Sequence, residues 1–496
     1  MPQPHEVRLW SASLSAAFGA GFLIYSTYVT NNLQVVGEQW LNNTYTRVYG
    51  SRPSEHKVTM LWACVIASKE VGKIIGTMLI PWMAEEWGRR GGMLINCLVT
   101  FVGCFLCLVG YHSPYYVIMF GRVLLGISMI CGVGLASLFL IEVAPLQSRG
   151  SSGALIQIFR GFGGTMGMVL ALPEIFGSPG LWTVALFVPA GPAFLQFIVL
   201  LLCMESPRHL FITKNDVPTA RRAIRFYQGD HRVDDALMDL KVERQRIQQQ
   251  TSIGFWAMLR TRQVWRPLLL TTLALTNRSL AGILPVQSYS TDMFIEAGIE
   301  HSTAAYSTVG LGVCHLVSAT AVTFTVERYG RKRLLLLGNF GCLVTLLMVA
   351  LVSELRTNWA QALTVFWLAM FMLVYPVVAS VSNIVASEIC HQKIRSYAFT
   401  VGLLSYSIVG FVSTFIYPIL KRQLGLSASY IPFCLCLIFT SLVYAIWLPE
   451  TRGKTFESLA FNGSRVHKDS LQEPLLTENG DATANGHALL EEEDQI

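Results

Sequence analysis

Apolar residues form long runs that recur along the chain, and short polar stretches separate them. A helix rises about 1.5 Å per residue, so about 20 apolar residues cross the roughly 30 Å hydrocarbon core of a bilayer. Runs of this kind, spans one to twelve, lie at 9–29, 58–82, 93–111, 115–141, 151–176, 181–203, 267–295, 302–326, 333–353, 360–387, 397–420 and 428–448. The pattern predicts an all-α membrane protein with twelve transmembrane helices.

Polar residues dominate the stretch 204–265, and their spacing predicts short helices there. This linker divides the chain into an N-terminal half at 1–203 and a C-terminal half at 266–448. Each half carries a similar sequence motif after its second span. The motifs are EEWGRR from Glu85 and ERYGRK from Glu327. A repeat at half the chain length is typical of two six-helix bundles that face each other across a central cavity.

Charged residues make up 14% of the chain and hydrophobic residues 52%, whereas soluble domains carry about 25% charged residues. This composition argues against a soluble globular enzyme. The 11 cysteines lie almost entirely in predicted spans, which indicates core packing rather than disulfides or metal binding. No phosphate-binding loop or nucleophile–base motif is recognisable in the sequence. We therefore expect no catalysis, no cofactor, no metal and no nucleic-acid partner, and we expect a monomer.

Basic residues cluster in the stretches that follow spans two, four, six, eight and ten. By the positive-inside rule these stretches are cytoplasmic, and so are both termini. The stretch 30–57 is then an extracytoplasmic loop, and its NNT motif makes Asn42 a candidate N-glycosylation site. We expect a plasma-membrane location, with an endosomal or lysosomal membrane as the alternative.

The tail at 449–496 is acidic and rich in Asn and Gly, and most of it has a composition typical of disorder. Its EPLL motif from Glu473 resembles acidic dileucine signals that sorting adaptors bind, although Leu471 stands where such signals carry an acid. A sorting function and a chance match both stay open.

Acids and arginines occupy matching positions at the predicted cytoplasmic ends of both halves. Cations there can bind helix C-termini or the acids of neighbouring helices. We expect ion pairs between the two bundles that close the cytoplasmic side and break when it opens, with solvated loop charges as the alternative. The candidates are Glu85, Arg89, Arg90, Glu142, Arg149, Glu327, Arg331, Glu388 and Arg395.

Four short motifs at the ends of predicted spans carry a family resemblance. They are ESPR from Glu205, PETRGKTF from Pro449, the pair Gly121-Arg122, and the stretch 142–150. As a set they resemble the sugar-porter branch of the major facilitator superfamily over about 9–457. The resemblance implies the major facilitator fold and a secondary transporter that moves a sugar or sugar-like small polar solute by alternating access. The stretch after span one looks more like the fructose-type carriers than the glucose-type carriers.

The resemblance also implies a role for one residue of span five. Gln157 lies seven residues after Gly150, and it matches the glutamine that hydrogen-bonds sugar hydroxyls in the family. An amide offers a polyol both donors and an acceptor. The alternative is an amide that bonds a neighbouring helix without touching solute.

Other positions depart from the family's sugar-binding pattern. Arg278 and Ser279 stand in span seven where the family has paired glutamines, and Leu284 replaces its asparagine. Asn383 lies where the family has Pro-x-Pro-Trp in span ten, and Tyr406 replaces a tryptophan in span eleven. Most of the family's hexose contacts are therefore replaced, and the polar replacements are candidates for the solute pathway.

Several charged side chains fall inside predicted spans: Lys69, Glu70 and Lys73 in span two, Arg160 in span five and Arg278 in span seven. Such a group costs about 2.5–3.5 kcal/mol at the bilayer centre, so we expect these side chains to face the cavity or each other. One interpretation is structural pairing, with Glu70 and Lys73 on one helix face. Another is a positive pathway for an organic anion such as a sugar acid or a urate-like solute. Ion coupling and a non-transporting transceptor also stay open.

Overall fold

The computed structural model describes residues 3–145, 149–249, 262–325, 329–355, 357–390 and 392–450. Within these segments the chain is helical and contains no β-strand. The all-α prediction is therefore confirmed for the part of the chain that the structure describes. The acidic tail beyond 450 and the end of the linker at 250–261 lie outside it.

The described residues of the N-terminal half form nine helices. They are α1 (Pro4–Phe22), α2 (Tyr25–Asn32), α3 (Gln34–Tyr49), α4 (Glu55–Glu86), α5 (Gly88–Val109), α6 (Tyr115–Val143), α7 (Arg149–Leu170), α8 (Trp182–Phe187) and α9 (Ala190–Leu202). The linker contains a π-helical turn (His209–Thr213), α10 (Val217–Gln228), a 3-10 turn (Asp230–Arg232) and α11 (Val233–Gln249). The short linker helices predicted from the sequence are confirmed as far as residue 249.

The C-terminal half continues with seven further helices among the described residues. They are α12 (Arg262–Leu280), α13 (Ile283–Glu296), α14 (His301–Thr325), α15 (Arg331–Ser353), α16 (Asn358–Ile389), α17 (Gln392–Leu424) and α18 (Ile431–Trp447).

Within the described segments, 10 helical stretches are long and apolar enough to cross a membrane. They are Pro4–Asn32, Gly88–Val109, Tyr115–Val143, Trp182–Leu202, Val264–Glu296, His301–Val322, Arg331–Ser353, Trp359–Ile389, Arg395–Leu424 and Ala428–Trp447. Each overlaps a predicted span. The two remaining predicted spans correspond to α4, which carries Lys69, Glu70 and Lys73, and to α7, whose apolar stretch Leu155–Leu170 is shorter.

The stretch 30–57, expected to be a loop, is mostly helical. Helices α2 and α3 continue the first span as far as Tyr49, and α3 is followed by Gly50, whose φ of 69° lies in the left-handed region. The loop prediction is wrong because α3 is amphipathic. It buries Trp40 and Leu41 and packs against α4.

Helices α4 and α6 cross with their backbones in contact. A Cβ added to Gly72 would lie 2.0 Å from the carbonyl oxygen of Val123, and one added to Gly126 would lie 2.0 Å from the carbonyl oxygen of Lys69. Small residues permit such crossings between helices in membranes. The crossing therefore fixes α4 within the N-terminal half at the level of its charged residues.

A break divides the seventh span into α12 and α13. Gly282, at the start of α13, has a φ of 81°, a left-handed conformation that glycine adopts without a steric cost. Because α12 ends at Leu280, Arg278 lies in its last turn. A cation is favoured there by the dipole of the helix.

Three helix pairs make the main contacts between the two halves: α2 with α13, α4 with α17, and α7 with α14. Helices α6 and α16, which end near Glu142 and Glu388, make no contact of comparable extent within the described segments. The described parts of the two halves are therefore joined mainly through these three helix pairs.

Candidate functional site

A cavity lies between the two halves. Helices of both halves contribute side chains to its wall. Five of the six residues predicted for the solute pathway line it: Gln157, Arg160, Arg278, Asn383 and Tyr406.

Ser279, the sixth predicted pathway residue, lies behind the wall of the cavity. Its side chain is fully buried, and its hydroxyl donates a hydrogen bond to the carbonyl oxygen of Tyr406 at 3.0 Å. Ser279 therefore ties α12 to α17 and supports the backbone that presents Tyr406.

Arg278 is held by contacts from two helices, α16 and α17. Its Nη1 donates to Asn383 Oδ1 at 3.0 Å, and its guanidinium carbon lies 4.8 Å from the centre of the Tyr406 ring. The Tyr375 hydroxyl donates to the Arg278 carbonyl oxygen at 3.2 Å. The buried Nε has no hydrogen-bond partner among the described residues. One edge of the guanidinium is thus fixed while Nε keeps its hydrogen-bonding capacity.

The charges of α4 form a buried cluster beside the cavity. Glu70 accepts contacts from both neighbouring ammonium groups, Lys69 at 3.3 Å and Lys73 at a shorter distance. Lys69 also donates to Thr27 Oγ1 at 2.6 Å. Lys73 lies 4.8 Å from the centre of the Tyr406 ring, so that ring contacts two cations. The predicted pairing of Glu70 with Lys73 is confirmed.

Gln157 and Arg160 lie three residues apart on α7 and both line the cavity. Neither side chain makes a hydrogen bond or ion pair with another residue in the described segments. His315 of α14 also lines the cavity, and its buried Nδ1 likewise lacks a partner there. The ring of His315 stacks on Tyr375 with centroids 6.3 Å apart. Several hydrogen-bonding groups therefore remain available to a bound molecule.

A hydrogen-bond network joins α2 to α13 beyond the cavity. Asn31 Nδ2 donates to Ser290 Oγ at 2.6 Å, and Asn31 Oδ1 accepts from Thr291 N at 2.9 Å. Thr291 Oγ1 donates to Asn32 Oδ1 at 2.5 Å. Sequence reasoning missed this network, although adjacent asparagines in an apolar span were a visible signal. These bonds close one end of the junction between the halves.

In the N-terminal half, the duplicated turn binds two acids of its own half. Arg89 Nη2 lies 2.8 Å from Glu142 Oε1. The carboxylate of Glu205 accepts hydrogen bonds from the backbone N of Arg89 at 2.9 Å, of Arg90 at 3.0 Å and of Gly91 at 3.2 Å. An acid at the N-terminus of α5 is favoured by the helix dipole.

The C-terminal half repeats this arrangement. Arg331 Nε lies 3.4 Å from Glu388 Oε1, and Glu450 Oε1 accepts from Arg331 N at 2.8 Å. In both halves the glycine of the turn makes room for the acid. A Cβ on Gly88 would lie 2.5 Å from Glu205 Oε2, and one on Gly330 would lie 2.6 Å from Glu450 Oε2.

These ion pairs join helices of one half, because Glu142 and Glu388 each lie beside the turn of their own repeat. Ion pairs between the two halves, in a state closed to the cytoplasm, stay a prediction. Glu205 and Glu450 belong to the ESPR and PETRGKTF motifs, but the sequence pattern predicted no contact for either residue. Their equivalent positions after spans six and twelve were a visible signal that both acids contact the turns.

None of the remaining candidates for cytoplasmic ion pairs forms an ion pair within the described part of the chain. Arg90 donates to the carbonyl oxygen of Leu200 at 2.7 Å. Glu85 and Arg395 are exposed and make no ion pair within the described part of the chain. Arg149 is the first residue of α7, but the structure does not describe its side chain. Glu327 lies outside the described residues.

The candidate glycosylation site lies in a helix rather than in a loop. Asn42 is a half-buried residue of α3. Thr44, the third residue of its motif, is buried. Glycosylation at Asn42 stays a prediction.

His209 of the linker contacts the same turn. Arg89 Nη1 donates to His209 Nδ1 at 2.9 Å, which requires the neutral ring to accept. Burial and the neighbouring Arg89 guanidinium lower the pKa of His209 to about 4. The ring therefore stays neutral near pH 7.

Comparison with known proteins places the chain in a family. The model of the family described as "Sugar (and other) transporter" matches residues 12–461. Human solute carrier family 2, facilitated glucose transporter member 7, is 29% identical over 453 residues, which cover 90% of this chain and 88% of the relative. Human facilitated glucose transporter member 5 is 27% identical over 450 residues, 90% of each chain.

The fold is also similar to a solved structure. The inward-open form of the xylose transporter XylE from E. coli superposes with a TM-score of 0.74 and 19% identity, covering 92% of this chain and 99% of that one. At that identity the likeness concerns the fold alone. The family match spans most of the sequence, and we conclude that the chain belongs to the sugar (and other) transporters, a family of carriers and not of enzymes.

Proposed function

We propose that the chain carries a sugar or sugar-like small polar solute across the bilayer by alternating access, with the central cavity as the binding site. The observation that carries this proposal is the polar wall that both halves contribute. Gln157 of the N-terminal half and Asn383 of the C-terminal half place amides in one cavity. Relatives named as facilitated glucose transporters support a sugar-like solute.

We also propose that α4 and α7 cross the bilayer, which gives twelve spans in two six-helix bundles at 1–203 and 266–448. The charges of α4 are compatible with a span because Glu70 binds both lysines inside the protein instead of exposing them to lipid. The linker at 204–265, the tail at 449–496 and both termini are then cytoplasmic by the positive-inside rule.

The helix contacts support an inward-facing state of this carrier. Helices α2 and α13 are joined by hydrogen bonds, whereas α6 and α16 make no contact of comparable extent in the described segments. In our proposal the α2–α13 network closes the extracytoplasmic side. It must separate when the carrier opens outward.

The proposed location is the plasma membrane, as a monomer, with an endosomal or lysosomal membrane as the alternative. The dileucine motif near Glu473 would then be the contact for sorting adaptors.

Uptake by the purified full-length chain in proteoliposomes tests the proposal. Labelled D-glucose, D-fructose, D-xylose and D-glucuronate would be offered to vesicles with and without the protein. Saturable uptake of any one of them supports a carrier. Stabilisation of the protein by one of these solutes, without uptake of any, would instead indicate a transceptor.

A further inference from the structure

We propose that the central cavity selects a polyhydroxylated carboxylate, such as a sugar acid, over a neutral sugar. This inference rests on the proposed function, because it names the class of solute for the same cavity. In this arrangement Arg160 and Arg278 bind the carboxylate, and Gln157 binds a hydroxyl group.

The first ground is the balance of charge. Lys73, Arg160 and Arg278 line the cavity, and none of its described lining residues is Asp or Glu. The nearby carboxylate of Glu70 is already shared by two lysines. Glu70 therefore does not neutralise either arginine, and the wall carries excess positive charge. A buried cation without a counter-charge is unfavourable, and a bound anion removes that cost.

The second ground is an excess of hydrogen-bond donors. The guanidinium of Arg160 has no hydrogen bond or ion pair to another described residue, and Arg278 Nε has no hydrogen-bond partner among them. A guanidinium can only donate, so these groups call for acceptor atoms from the solute. Carboxylate oxygens match the planar fork of arginine and can form two parallel bonds with it.

The third ground is the placement of the two arginines. Both line the same cavity, where like charges repel each other, and Arg278 is held in place by Asn383 and by the Tyr406 ring. One carboxylate between them would relieve the repulsion, which a neutral hexose does not do.

The remaining lining groups favour hydroxyl groups on the same solute. Gln157 lies one helical turn from Arg160, and its amide makes no hydrogen bond to the rest of the described chain. The amide can accept from one hydroxyl and donate to another. A polyhydroxylated carboxylate satisfies this amide and both arginines together.

Thermal stability and uptake of the purified full-length protein test the inference. The probes are D-glucuronate, D-glucose and inorganic phosphate at equal concentration and ionic strength. We expect D-glucuronate to raise the melting temperature and to show saturable uptake, with at least a tenfold preference over D-glucose. Arg278→Gln and Arg160→Gln should each lower D-glucuronate uptake at least tenfold.

Arg266→Gln is the matched control, because Arg266 lies on α12 like Arg278 but is exposed and bonded to the Trp447 carbonyl oxygen. This variant should keep wild-type uptake within about twofold. Arg278→Lys keeps the positive charge but lacks the planar guanidinium that can form two parallel bonds with a carboxylate. This variant should retain part of the preference for D-glucuronate. A folding defect would instead lower the melting temperature without any ligand.

Two results would overturn the anion inference and leave a transporter in place. One is saturable D-glucose uptake that exceeds D-glucuronate uptake and is unchanged in Arg278→Gln. The other is stabilisation by phosphate as strong as that by D-glucuronate, which would show a general anion site without recognition of the sugar. Binding of D-glucuronate without uptake of any solute would count against the proposed carrier function but support the anion site.

Discussion

Arg278 and Asn383 are joined by a hydrogen bond of 3.0 Å that runs from the last turn of α12 to α16. Both residues stand where the family pattern has other side chains, and the bond shows that the two replacements fit each other. It orients a cation in the cavity wall while Nε remains without a partner among the described residues. The site thus differs from a neutral amide site in its charge.

Replacing Gln157 should weaken solute binding without unfolding the carrier. The amide makes no hydrogen bond to other described residues, so Gln157→Ala removes only contacts to solute. Each lost hydrogen bond contributes about 0.5–1.5 kcal/mol, which predicts a several-fold higher half-saturation constant. Uptake kinetics at normal surface expression measure this. An unchanged curve would remove Gln157 from the site.

Replacing Glu70 should destabilise the protein strongly. Glu70→Gln leaves Lys69 and Lys73 buried without their counter-charge, a change that typically costs about 3–5 kcal/mol. Glu85→Gln is the control, since Glu85 is exposed on the same helix and has no ion pair within the described residues. Melting temperatures in detergent compare the two variants. Equal melting temperatures would contradict a stabilising role for the buried cluster.

Gly88→Ala should disturb the turn before α5. Gly88 has a φ of 79°, and a Cβ there would lie 2.5 Å from Glu205 Oε2. The left-handed conformation alone costs an L-residue about 1–2 kcal/mol. Gly91→Ala is the matched control, because its Cβ would meet nothing closer than Trp87 at 3.6 Å. A lower melting temperature is expected for Gly88→Ala only, and similar values for both variants would argue against the packing described.

Asn31→Ala should favour opening between α2 and α13. The change removes bonds to Ser290 Oγ and Thr291 N. A Ser380→Cys reporter in the cavity wall should then react several-fold faster with an impermeant maleimide added outside. Asn43→Ala, an exposed position on α3, serves as the control. Equal labelling rates in both variants would show that Asn31 does not hold this end closed.

Acidification should destabilise the contact between the linker and the α5 turn. Since the folded pKa of His209 is about 4 and the unfolded value is about 6.5, the unfolded state binds the proton more readily between these values. The stability contributed by the neutral ring is complete above about pH 6.5 and declines as the pH falls toward 4. His209→Asn keeps an acceptor for Arg89 without titrating. Its melting temperature should therefore fall less than that of the wild type, and parallel curves would contradict this.

The sequence predicted the helices well where hydropathy and charge gave independent signals. All ten apolar stretches in the described segments overlap predicted spans, and the repeated turns at Gly88 and Gly330 occupy equivalent places. It failed at 30–57 because the polar face of α3 resembles a loop in a hydropathy pattern, while its buried face depends on contact with α4. The candidate cavity residues could be named because they differ from the family's sugar-binding pattern. The sequence did not predict which residues form hydrogen bonds with them.

By itself, the sequence determined the helical membrane class, the internal repeat and the family, since these depend on local composition and on motifs. Only the tertiary structure decided which charges far apart in sequence pair. Arg89 pairs with Glu142 and Arg331 pairs with Glu388, each within its own half. Arg160 lines the cavity without a partner among the described residues. The physical reason is that pairing depends on distances of a few ångströms between side chains far apart in sequence, and helix packing sets those distances.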